Sequence, residues 1–403
     1  MGKLLTPVSR PALYAVKAAV YKDTMEVLRK LKPQHPVYLF DQARLVENMQ
    51  GFQAAFPGIV SYAVKANTRK RVLSTLIEQG LANFDVASIS EIKTLRMLGG
   101  VDVQLHYNNP VKPKADIALA YAAHSVRSFA LDDILELEKI LSVCANPEQL
   151  TLSVRFKIDS HCSAYDFGSK FGADMRSAAD LLRRIKRSGA SPALTFHPGS
   201  QCVRAEEYHR YIQAAADIAK QAGVALALLN VGGGFPEYYT NTTAEPRRHY
   251  FNVIRQAHAA AFADSRPPLM CEPGRAMVAG STSLLCRVIH VRRTQAVAFI
   301  NDGIYGGLQE QSLVDLGLPL RCWREGRIVR NALRPYTVFG PTCDPIDRLP
   351  RTLKLPVDIC EGDYLQFALM GAYGSATSTR FNGFDSGDYI NVECGWQASP
   401  GER

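Results

Sequence analysis

The sequence lacks the features that mark membrane and secreted proteins. Its 403 residues contain no run of about 18 apolar residues, so we expect no membrane-spanning helix. Residues 1–10 have neither an apolar core nor a small-residue cleavage site, which predicts that no signal peptide is present. The 9 cysteines are odd in number and form no C-x-x-C pair, which argues against a disulfide framework and a zinc site. We therefore expect a cytoplasmic protein that holds no metal.

The chain also lacks a concentrated charge of either sign. Its 47 Lys and Arg against 38 Asp and Glu give a net charge of +9, but the basic pairs are scattered and no aromatic residues interleave them. This pattern does not favour nucleic-acid binding; it is typical of a solubilising surface or of a field that attracts anions. The hydrophobic share of 47% excludes intrinsic disorder.

Apolar segments alternate with amphipathic segments through the first two thirds of the chain. Eight short segments are predicted as strands, at 60–64, 84–87, 103–107, 128–131, 150–158, 193–197, 226–231 and 269–272. In one of the intervening helical patterns, Ala178, Leu181, Leu182 and Ile185 recur at a spacing that puts them on one buried face. The alternation predicts a closed (β/α)8 barrel of the TIM type over residues 42–280, with an open doubly wound sheet as the alternative.

The pattern changes after Gly280. Predicted strands at 284–292, 296–300, 328–338, 353–359 and 364–370 follow one another without helices between them, and prolines and glycines separate them. This predicts a C-terminal all-β domain. A lone strand at 36–40 precedes the barrel and is expected to join that sheet, so residues 1–41 and 281–403 would together form a β-sandwich-like domain.

Chemically active residues lie at equivalent positions in the barrel units. They follow or end the predicted strands: Lys65, Asp85, Arg155, His197, the triplet Gly232, Gly233 and Gly234, and Glu272 with Arg275. In a (β/α)8 barrel the carboxyl ends of all strands open onto one face, where active sites are built. We therefore expect these residues to converge although they are far apart in the sequence.

Each of these residues also has an ordinary structural interpretation. Lys65 is either a surface lysine at a strand end or, in an apolar cup, an amine of lowered pKa that forms imines. His197 is either a satisfied core histidine or part of a site, and the three glycines mark either a turn or a phosphate cradle. Glu272 and Arg275 form either an ion pair or separate ligands for a ring nitrogen and a phosphate. Lysine, cradle and carboxylate on one face together describe a site for pyridoxal 5'-phosphate (PLP).

The ordered motifs resemble those of the PLP-dependent ornithine/lysine/diaminopimelate decarboxylases, which belong to the alanine-racemase-like fold class. The resemblance extends from about Val37 to about Phe384 and is closest to the ornithine/lysine branch. The motifs are YAVKAN at 62–67, FDVAS at 84–88, SKFG at 169–172, FHPGS at 196–200, GGGFP at 232–236, EPGR at 272–275, GPTCD at 340–344, GAY at 371–373 and FNG at 381–383.

The resemblance implies a role for each matching residue. Lys65 would hold PLP covalently through its amine, Glu272 would keep the ring nitrogen protonated, and His197 would stack on the ring. Asp85 and Arg155 would orient Lys65 and the ring from beneath. The phosphate would be bound by a set of residues around the glycine triplet: Ser200, Gly232, Gly233, Gly234, Gly274, Arg275 and Tyr373.

The resemblance also implies a homodimer with shared active sites. The second domain would complete the site of the partner subunit, with Cys343 as the proton donor to the decarboxylated carbon. Asp344 is short and anionic, which suits a distal ammonium group, and Asp347 would extend the negative field. The expected reaction is decarboxylation of L-ornithine or L-lysine to putrescine or cadaverine with release of CO2.

One segment departs from the family pattern. The aromatic-Asp pair that follows the position of Tyr305 in ornithine enzymes is replaced here by QEQSLVD at 309–315. Either Glu310 or Asp315 would replace the missing carboxylate, or the distal pocket differs. The expected substrate-binding residues are Tyr305, Glu310, Asp315, Asp344 and Phe381. Diaminopimelate, a D-amino acid or a substrate of specialised metabolism are the alternative substrates, and a racemase or a non-catalytic regulator of the same fold are the alternative functions.

Overall fold

The computed structural model describes residues 19–159, 170–263, 265–385 and 387–396. Ser169 of the SKFG motif, and residues 1–18 and 397–403 of the predicted β-sandwich-like domain, lie outside the described residues. None of the described helices is both long and apolar enough to cross a membrane.

Two strand-helix pairs precede the barrel. They are β1 (Val20–Asp23), α1 (Thr24–Lys30), β2 (Val37–Asp41) and α2 (Gln42–Ala55). Helix α2 begins where the Asp41 carboxylate accepts a hydrogen bond from the Arg44 backbone N–H at 2.9 Å, an N-cap that satisfies a free backbone donor. Leu45, Met49 and Phe52 form the buried face of α2 and contribute to the core of the barrel.

Eight parallel strands close into a barrel, as the alternation predicted. The strands are β3 (Ile59–Ala63), β4 (Asn83–Val86), β5 (Gln104–Tyr107), β6 (Ser128–Leu131), β7 (Thr151–Arg155), β8 (Ser191–Thr195), β9 (Leu228–Asn230) and β10 (Leu269–Cys271). Each pairs in parallel with its neighbour in the chain, and β10 pairs with β3 to close the ring. The open doubly wound sheet is therefore excluded.

Helices surround the barrel on its outer side. They are α3 (Lys70–Glu78), α4 (Ile89–Gly99), α5 (Lys114–His124), α6 (Ile134–Leu141), α7 (Met175–Arg187), α8 (Glu206–Ala222), α9 (Arg247–Ala261) and the short α10 (Arg275–Val278). In α7 the predicted inward face, which includes Ala178, Leu181 and Ile185, is buried. The Asp174 carboxylate caps this helix by accepting from the Ser177 N–H at 2.8 Å.

The remaining strands form a mixed sheet of ten strands. It is built from β1, β2, β11 (Thr282–Arg292), β12 (Val297–Ile300), β13 (Leu320–Arg324), β14 (Arg327–Ile328), β15 (Leu333–Phe339), β16 (Leu353–Pro356), β17 (Tyr364–Phe367) and β18 (Asp388–Cys394). Strand β2 lies between β18 and β11, so the lone N-terminal strand does join this sheet. The short α11 (Gly374–Thr377) follows β17.

One predicted strand of the sheet was wrong in extent. The segment 328–338 was expected to be a single strand, but β14 ends at Ile328 and β15 begins at Leu333. The two parts of the segment pair with different strands. Glu325 and Gly326, both with positive φ, turn the chain so that β14 pairs with β13, whereas β15 pairs with β12 and β16. The sequence analysis also missed β1, β13 and β18.

The barrel strands are apolar on the outside, whereas on the inside small and polar residues accompany a small apolar cluster of Ala193, Leu228 and Met270. In β4, Phe84 and Val86 belong to the core between barrel and helices, while Asn83 and Asp85 alternate with them and face the interior. Small and polar inner residues leave room at the mouth of the barrel that the branched side chains usual in such barrels would fill.

His106 is a half-buried polar group of this interior. Its Nε2 lies 3.1 Å from the Asn83 Oδ1 and its Nδ1 lies 3.0 Å from the Ser128 hydroxyl. Because the Asn83 oxygen only accepts, the neutral ring donates from Nε2 and accepts at Nδ1. Burial lowers the pKa of His106 to about 4, so the neutral ring is retained far below the pH at which an exposed histidine is protonated.

We predict that His106 makes the protein acid-sensitive. In the unfolded chain its pKa is about 6.5, so below that pH the unfolded state binds a proton that the folded state does not. The contribution of His106 to the free energy of unfolding is therefore fully present above pH 6.5. It falls as the pH drops towards 4, by about 2 kcal/mol between pH 7 and pH 5. Urea unfolding of His106→Gln should show a smaller loss over this range than the wild type.

The matched control is His290→Gln, which removes an exposed histidine of β11. It should keep the pH dependence of the wild type, because its ring meets solvent in both states. Equal pH dependence in His106→Gln and the wild type would contradict the assignment.

Candidate active site

A cavity of about 430 Å³ opens at the carboxyl ends of the barrel strands. Its lining brings together residues from five barrel units and from the sheet domain: Ala63, Lys65, Asp85, His197, Ser200, Gly234, Phe235, Glu272, Gly274, Arg275 and Tyr373. Nine of these were predicted from the sequence, and Ala63 and Phe235 were not. The expected convergence of distant residues on one face is therefore present in the structure.

Lys65 lies in a single turn of 3-10 helix directly after β3. Its side chain is exposed to the cavity rather than packed away. Burial alone lowers its pKa, but Tyr373, Asp85 and Glu272 outweigh burial, so the pKa of the amine is raised. Of the two interpretations of Lys65, the amine of lowered pKa in an apolar cup does not hold, because acidic groups rather than apolar ones surround the amine.

The loop that carries Lys65 is bonded to the sheet. The Asn67 amide donates to the Gly371 carbonyl at 2.8 Å and to the Tyr389 hydroxyl at 3.0 Å, and the Tyr373 N–H donates to the Ala66 carbonyl at 2.8 Å. These bonds fix the position of Lys65 relative to Tyr373. Asn67 was part of a quoted motif, but sequence reasoning gave it no role.

Glu272 directly follows β10, and two asparagines hold its carboxylate. The Asn108 amide donates to Glu272 Oε1 at 2.5 Å, and the Asn230 amide donates to the same oxygen. Burial raises the pKa of Glu272, although the hydrogen bond from Asn230 and the charge of Lys65 oppose that rise. Sequence reasoning missed both asparagines, although Asn108 follows β5 and Asn230 ends β9, the same position that identified the other candidates.

The charges of Asp85 and Arg155 affect each other's pKa, and the charge of Glu272 affects both. Burial raises the pKa of Asp85 well above its usual value, and the nearby Glu272 raises it further. Burial lowers the pKa of Arg155, and the carboxylates of Glu272 and Asp85 oppose that change. Arg155 itself is not among the described residues that line the cavity, and its guanidinium lies 5.2 Å from the centroid of the Phe171 ring.

His197 is a neutral imidazole at the cavity wall. Its Nδ1 accepts a hydrogen bond from the Gly199 N–H at 3.0 Å, so the proton of the neutral ring is on Nε2. Burial lowers its pKa well below the usual value, and the charges of Lys65 and Arg155 lower it further. The ring therefore adds no positive charge to the cavity.

The glycine triplet packs so closely that no side chain fits. An added Cβ would lie 2.1 Å from the Phe196 carbonyl oxygen at Gly232, 2.6 Å from the Glu272 carbonyl oxygen at Gly233 and 2.3 Å from the Gly199 carbonyl oxygen at Gly234. Gly232 and Gly234 also have positive φ, of 68° and 89°. Gly234 lines the cavity, whereas Gly232 and Gly233 are not among its described lining residues. At Gly234 the cavity therefore meets backbone rather than a side chain, as a phosphate cradle requires.

Arg275 is buried beside this cradle and forms an ion pair with Glu310. Its guanidinium contacts both carboxylate oxygens of Glu310, one at 2.8 Å, and donates to the Tyr239 hydroxyl at 3.1 Å. The Arg275 Nε is buried without a hydrogen-bond partner among the described residues. Arg275 therefore has a donor left for an anion in the cavity it lines.

A second group of predicted residues lies on the sheet domain. The Tyr305 hydroxyl donates to the Asp344 carboxylate at 2.5 Å, and the Tyr305 and Phe381 rings lie 4.7 Å apart. The hydrogen bond from Tyr305, followed by that from the Ile346 N–H, lowers the pKa of Asp344, so this carboxylate is ionised. Cys343 is exposed, and both its N–H and its thiol donate to the Asn382 side-chain oxygen, at 3.2 and 3.3 Å.

Asp347 has a different position from the one expected. It was predicted to extend the negative field of Asp344, but its carboxylate is buried and accepts from the Ile304 N–H, the Thr342 N–H and the Thr342 hydroxyl at 2.8 to 3.0 Å. With these donors it holds the loop that carries Cys343.

The structure does not bring the two groups into one cavity. Among the described residues, the lining of the barrel cavity contains neither Cys343 nor Asp344, and Tyr305 and Phe381 line a separate pocket of the sheet. The two acids proposed to replace the missing carboxylate are also engaged elsewhere. Glu310 pairs with Arg275, and Asp315 pairs with Arg351 at 2.7 Å and accepts from Asn241 at 2.8 Å.

Comparison with known proteins places this site in a family. The family model described as pyridoxal-dependent decarboxylase, pyridoxal binding domain, matches residues 42–279. A lysine/ornithine decarboxylase of Selenomonas ruminantium is 32% identical over 348 residues, which is 85% of each chain. An antizyme inhibitor 2 of Xenopus laevis is 30% identical over 383 residues, 90% of this chain and 82% of the relative.

A solved structure extends the match to the whole fold. The crystal structure of a Selenomonas ruminantium lysine decarboxylase in complex with PLP and cadaverine superposes with a TM-score of 0.79 at 30% identity. The alignment covers 91% of this chain and 92% of the other. Both the barrel and the sheet are therefore shared with a PLP-binding relative.

We predict that the Arg275–Glu310 pair contributes far more to stability than the Asp315–Arg351 pair. Glu310→Gln leaves a buried guanidinium without its counter-charge, which typically costs about 3 kcal/mol. Asp315→Asn breaks a largely exposed pair, which should change the free energy of unfolding by less than about 1 kcal/mol. Urea unfolding of the two variants measures the difference, and equal stabilities would contradict the buried pair.

Proposed function

The chain belongs to the pyridoxal-dependent decarboxylase family, and we propose that it decarboxylates L-lysine or L-ornithine to cadaverine or putrescine. The observation that carries the proposal is the single cavity that contains Lys65, His197, Glu272 and Arg275 together. The Selenomonas ruminantium relative is named for both substrates, which supports a basic amino acid.

The residues of the cavity fit PLP. An anionic phosphate suits the Nε of Arg275, which is buried without a hydrogen-bond partner among the described residues. It also suits the glycine triplet, where no Cβ fits against the neighbouring carbonyl oxygens. Lys65 would hold the cofactor, and Ser200, Gly233, Gly234, Arg275 and Tyr373 would bind its phosphate. When bound, PLP supplies an electron sink for the electron pair that remains when CO2 leaves.

The chain's own residues would orient and tune this site. Both asparagines donate to Oε1 of Glu272. This leaves Oε2 to accept a hydrogen bond from a protonated ring nitrogen. The neutral His197 would lie against the ring without adding charge. Lys65 must give up a proton before its amine can react, and Asp85, whose pKa burial raises well above its usual value, is the acid beside it that can exchange that proton.

We propose that Asp344 binds the distal ammonium group of the substrate. It is ionised and is oriented by Tyr305, whereas Glu310 and Asp315 pair with arginines. Phe381, stacked near Tyr305, would pack on the apolar part of the substrate chain. An anion at this position disfavours diaminopimelate, whose second carboxylate it would repel.

We also propose that the enzyme works as a cytoplasmic homodimer. The barrel of residues 42–280 would form one domain, and residues 1–41 with 281–403 would form a second domain that completes the partner's site. The exposed Cys343, outside the barrel cavity of its own chain, supports this arrangement. A non-catalytic role like that of the antizyme inhibitor relative is the second candidate, and the intact set of cofactor residues argues against it.

The proposed activity predicts CO2 release from PLP-loaded protein with L-lysine or L-ornithine, and with cadaverine or putrescine as product. The panel should include L-arginine, meso-diaminopimelate and the D-isomers of lysine and ornithine. Asp344→Asn should raise KM for the preferred substrate about tenfold or more, because the acceptor oxygen remains but its negative charge, which strengthens the hydrogen bond from an ammonium group, is lost. The control Asp315→Asn should leave KM unchanged. Racemisation without gas, or no turnover with PLP bound, would contradict the proposal.

The shared site predicts complementation between inactive chains. Lys65→Ala and Cys343→Ala should each lose nearly all activity, but co-expressed chains should recover about a quarter of the wild-type activity, because half the dimers are mixed and each holds one intact site. The control pair Lys65→Ala with Glu272→Gln should recover nothing, since both changes lie in the barrel. No recovery in the first pair would place Lys65 and Cys343 in the same chain's site.

A further inference from the structure

Asn230 contacts two parts of the cavity at once. It is the last residue of β9 and is fully buried. Its amide Nδ2 donates to Glu272 Oε1, and its Oδ1 accepts from the Gly232 N–H at 2.9 Å. The first contact reaches the carboxylate proposed for the ring nitrogen, and the second reaches the first glycine of the cradle.

The contacts of Asn230 close into a ring of hydrogen bonds. The Glu272 backbone N–H donates to the Gly232 carbonyl at 2.8 Å, which completes a cycle of Asn230, Glu272 and Gly232. The cycle also fixes the orientation of the amide. A backbone N–H can only donate, so the atom that faces Gly232 must be the oxygen, and the nitrogen must face Glu272.

Gly232 cannot adjust if this cycle opens. Its φ is +68°, and an added Cβ would lie 2.1 Å from the Phe196 carbonyl oxygen, so the backbone is enclosed at that point. Loss of the Asn230 oxygen would leave the Gly232 N–H buried without its partner. The next residue, Gly233, is held in turn by the Tyr208 hydroxyl, which donates to its carbonyl at 2.7 Å.

We propose that Asn230 is a positioning residue that couples the two ends of the cofactor site. It fixes the position of the Glu272 carboxylate relative to the glycine cradle. The groups that bind the ring and the phosphate therefore cannot shift independently. The inference rests on the proposed function, because it assumes that PLP occupies this cavity.

Asn108 provides a matched comparison. It donates to the same oxygen of Glu272 as Asn230 does, but it lies in the loop after β5. Within the part of the chain that the structure describes, its side chain hydrogen-bonds only to Glu272. Loss of Asn108 should therefore affect the ring end alone. Loss of Asn230 should affect the ring end and the phosphate end together.

The experiment measures the dissociation constants of PLP and of pyridoxal, which lacks the phosphate, for the wild type and three variants. The dissociation constant of pyridoxal divided by that of PLP gives the phosphate's contribution to affinity. Asn108→Ala should weaken both ligands by the same factor and leave the ratio unchanged. Asn230→Ala should lower the ratio about tenfold, because the cradle loses a buried hydrogen bond.

Asn230→Asp separates the two contacts. Its carboxylate keeps an oxygen for the Gly232 N–H, so the ratio should stay within about threefold of the wild type. If Asn230→Ala does not yield folded protein, which thermal unfolding of each ligand-free variant will show, Asn230→Leu takes its place, because it removes the same oxygen and leaves a smaller cavity.

The inference is overturned if Asn230→Ala leaves the ratio at the value of Asn108→Ala, or if Asn230→Asp lowers it tenfold. Failure of the proposed function gives a different result. In that case the wild type itself would not bind PLP more tightly than pyridoxal.

Discussion

The closure of eight parallel strands is the constraint on which the rest of the structure depends. Closure turns every strand's carboxyl end to one face, so residues separated by about 200 positions, such as Lys65 and Glu272, line one cavity. It also commits alternate residues to the inside, where small and polar side chains leave the barrel mouth open. The apolar residues between them pack on the helices and form the main core, so the site and the stability of the fold use opposite faces of the same strands.

The sequence analysis was most successful for ionisable residues at the ends of barrel strands. Lys65, Asp85, His197 and Glu272 were all identified by that position, and all line the cavity. Their electrostatics could not be read in the same way, because the pKa of an amine depends on which carboxylates the fold brings near it. An apolar cup would have lowered the pKa of Lys65, but Tyr373, Asp85 and Glu272 raise it.

The features that the sequence did not reveal depend on long-range partners. Glu310 looked like a substrate ligand because of its place after Tyr305, and only the packing of the sheet against the barrel pairs it with Arg275. Asn108 and Asn230 carry no charge and are common residues at strand ends, so nothing local separates them from loop residues. The hairpin at Glu325 and Gly326 was missed because glutamate rarely adopts a positive φ, so the residue type at position 325 gives no sign of the turn between β13 and β14.

The position of β2 in the middle of the sheet has a consequence for synthesis on the ribosome. This strand is translated before the barrel, yet both of its neighbours, β11 and β18, come after it. The nascent chain must therefore extend by about 240 residues before β2 meets its first partner, which is a contact of very long range. During that interval the barrel can close while an apolar strand stays unpaired, so chaperone binding and aggregation would compete for the chain at this stage. The last strand to emerge, β18, covers the remaining side of β2 and completes the sheet.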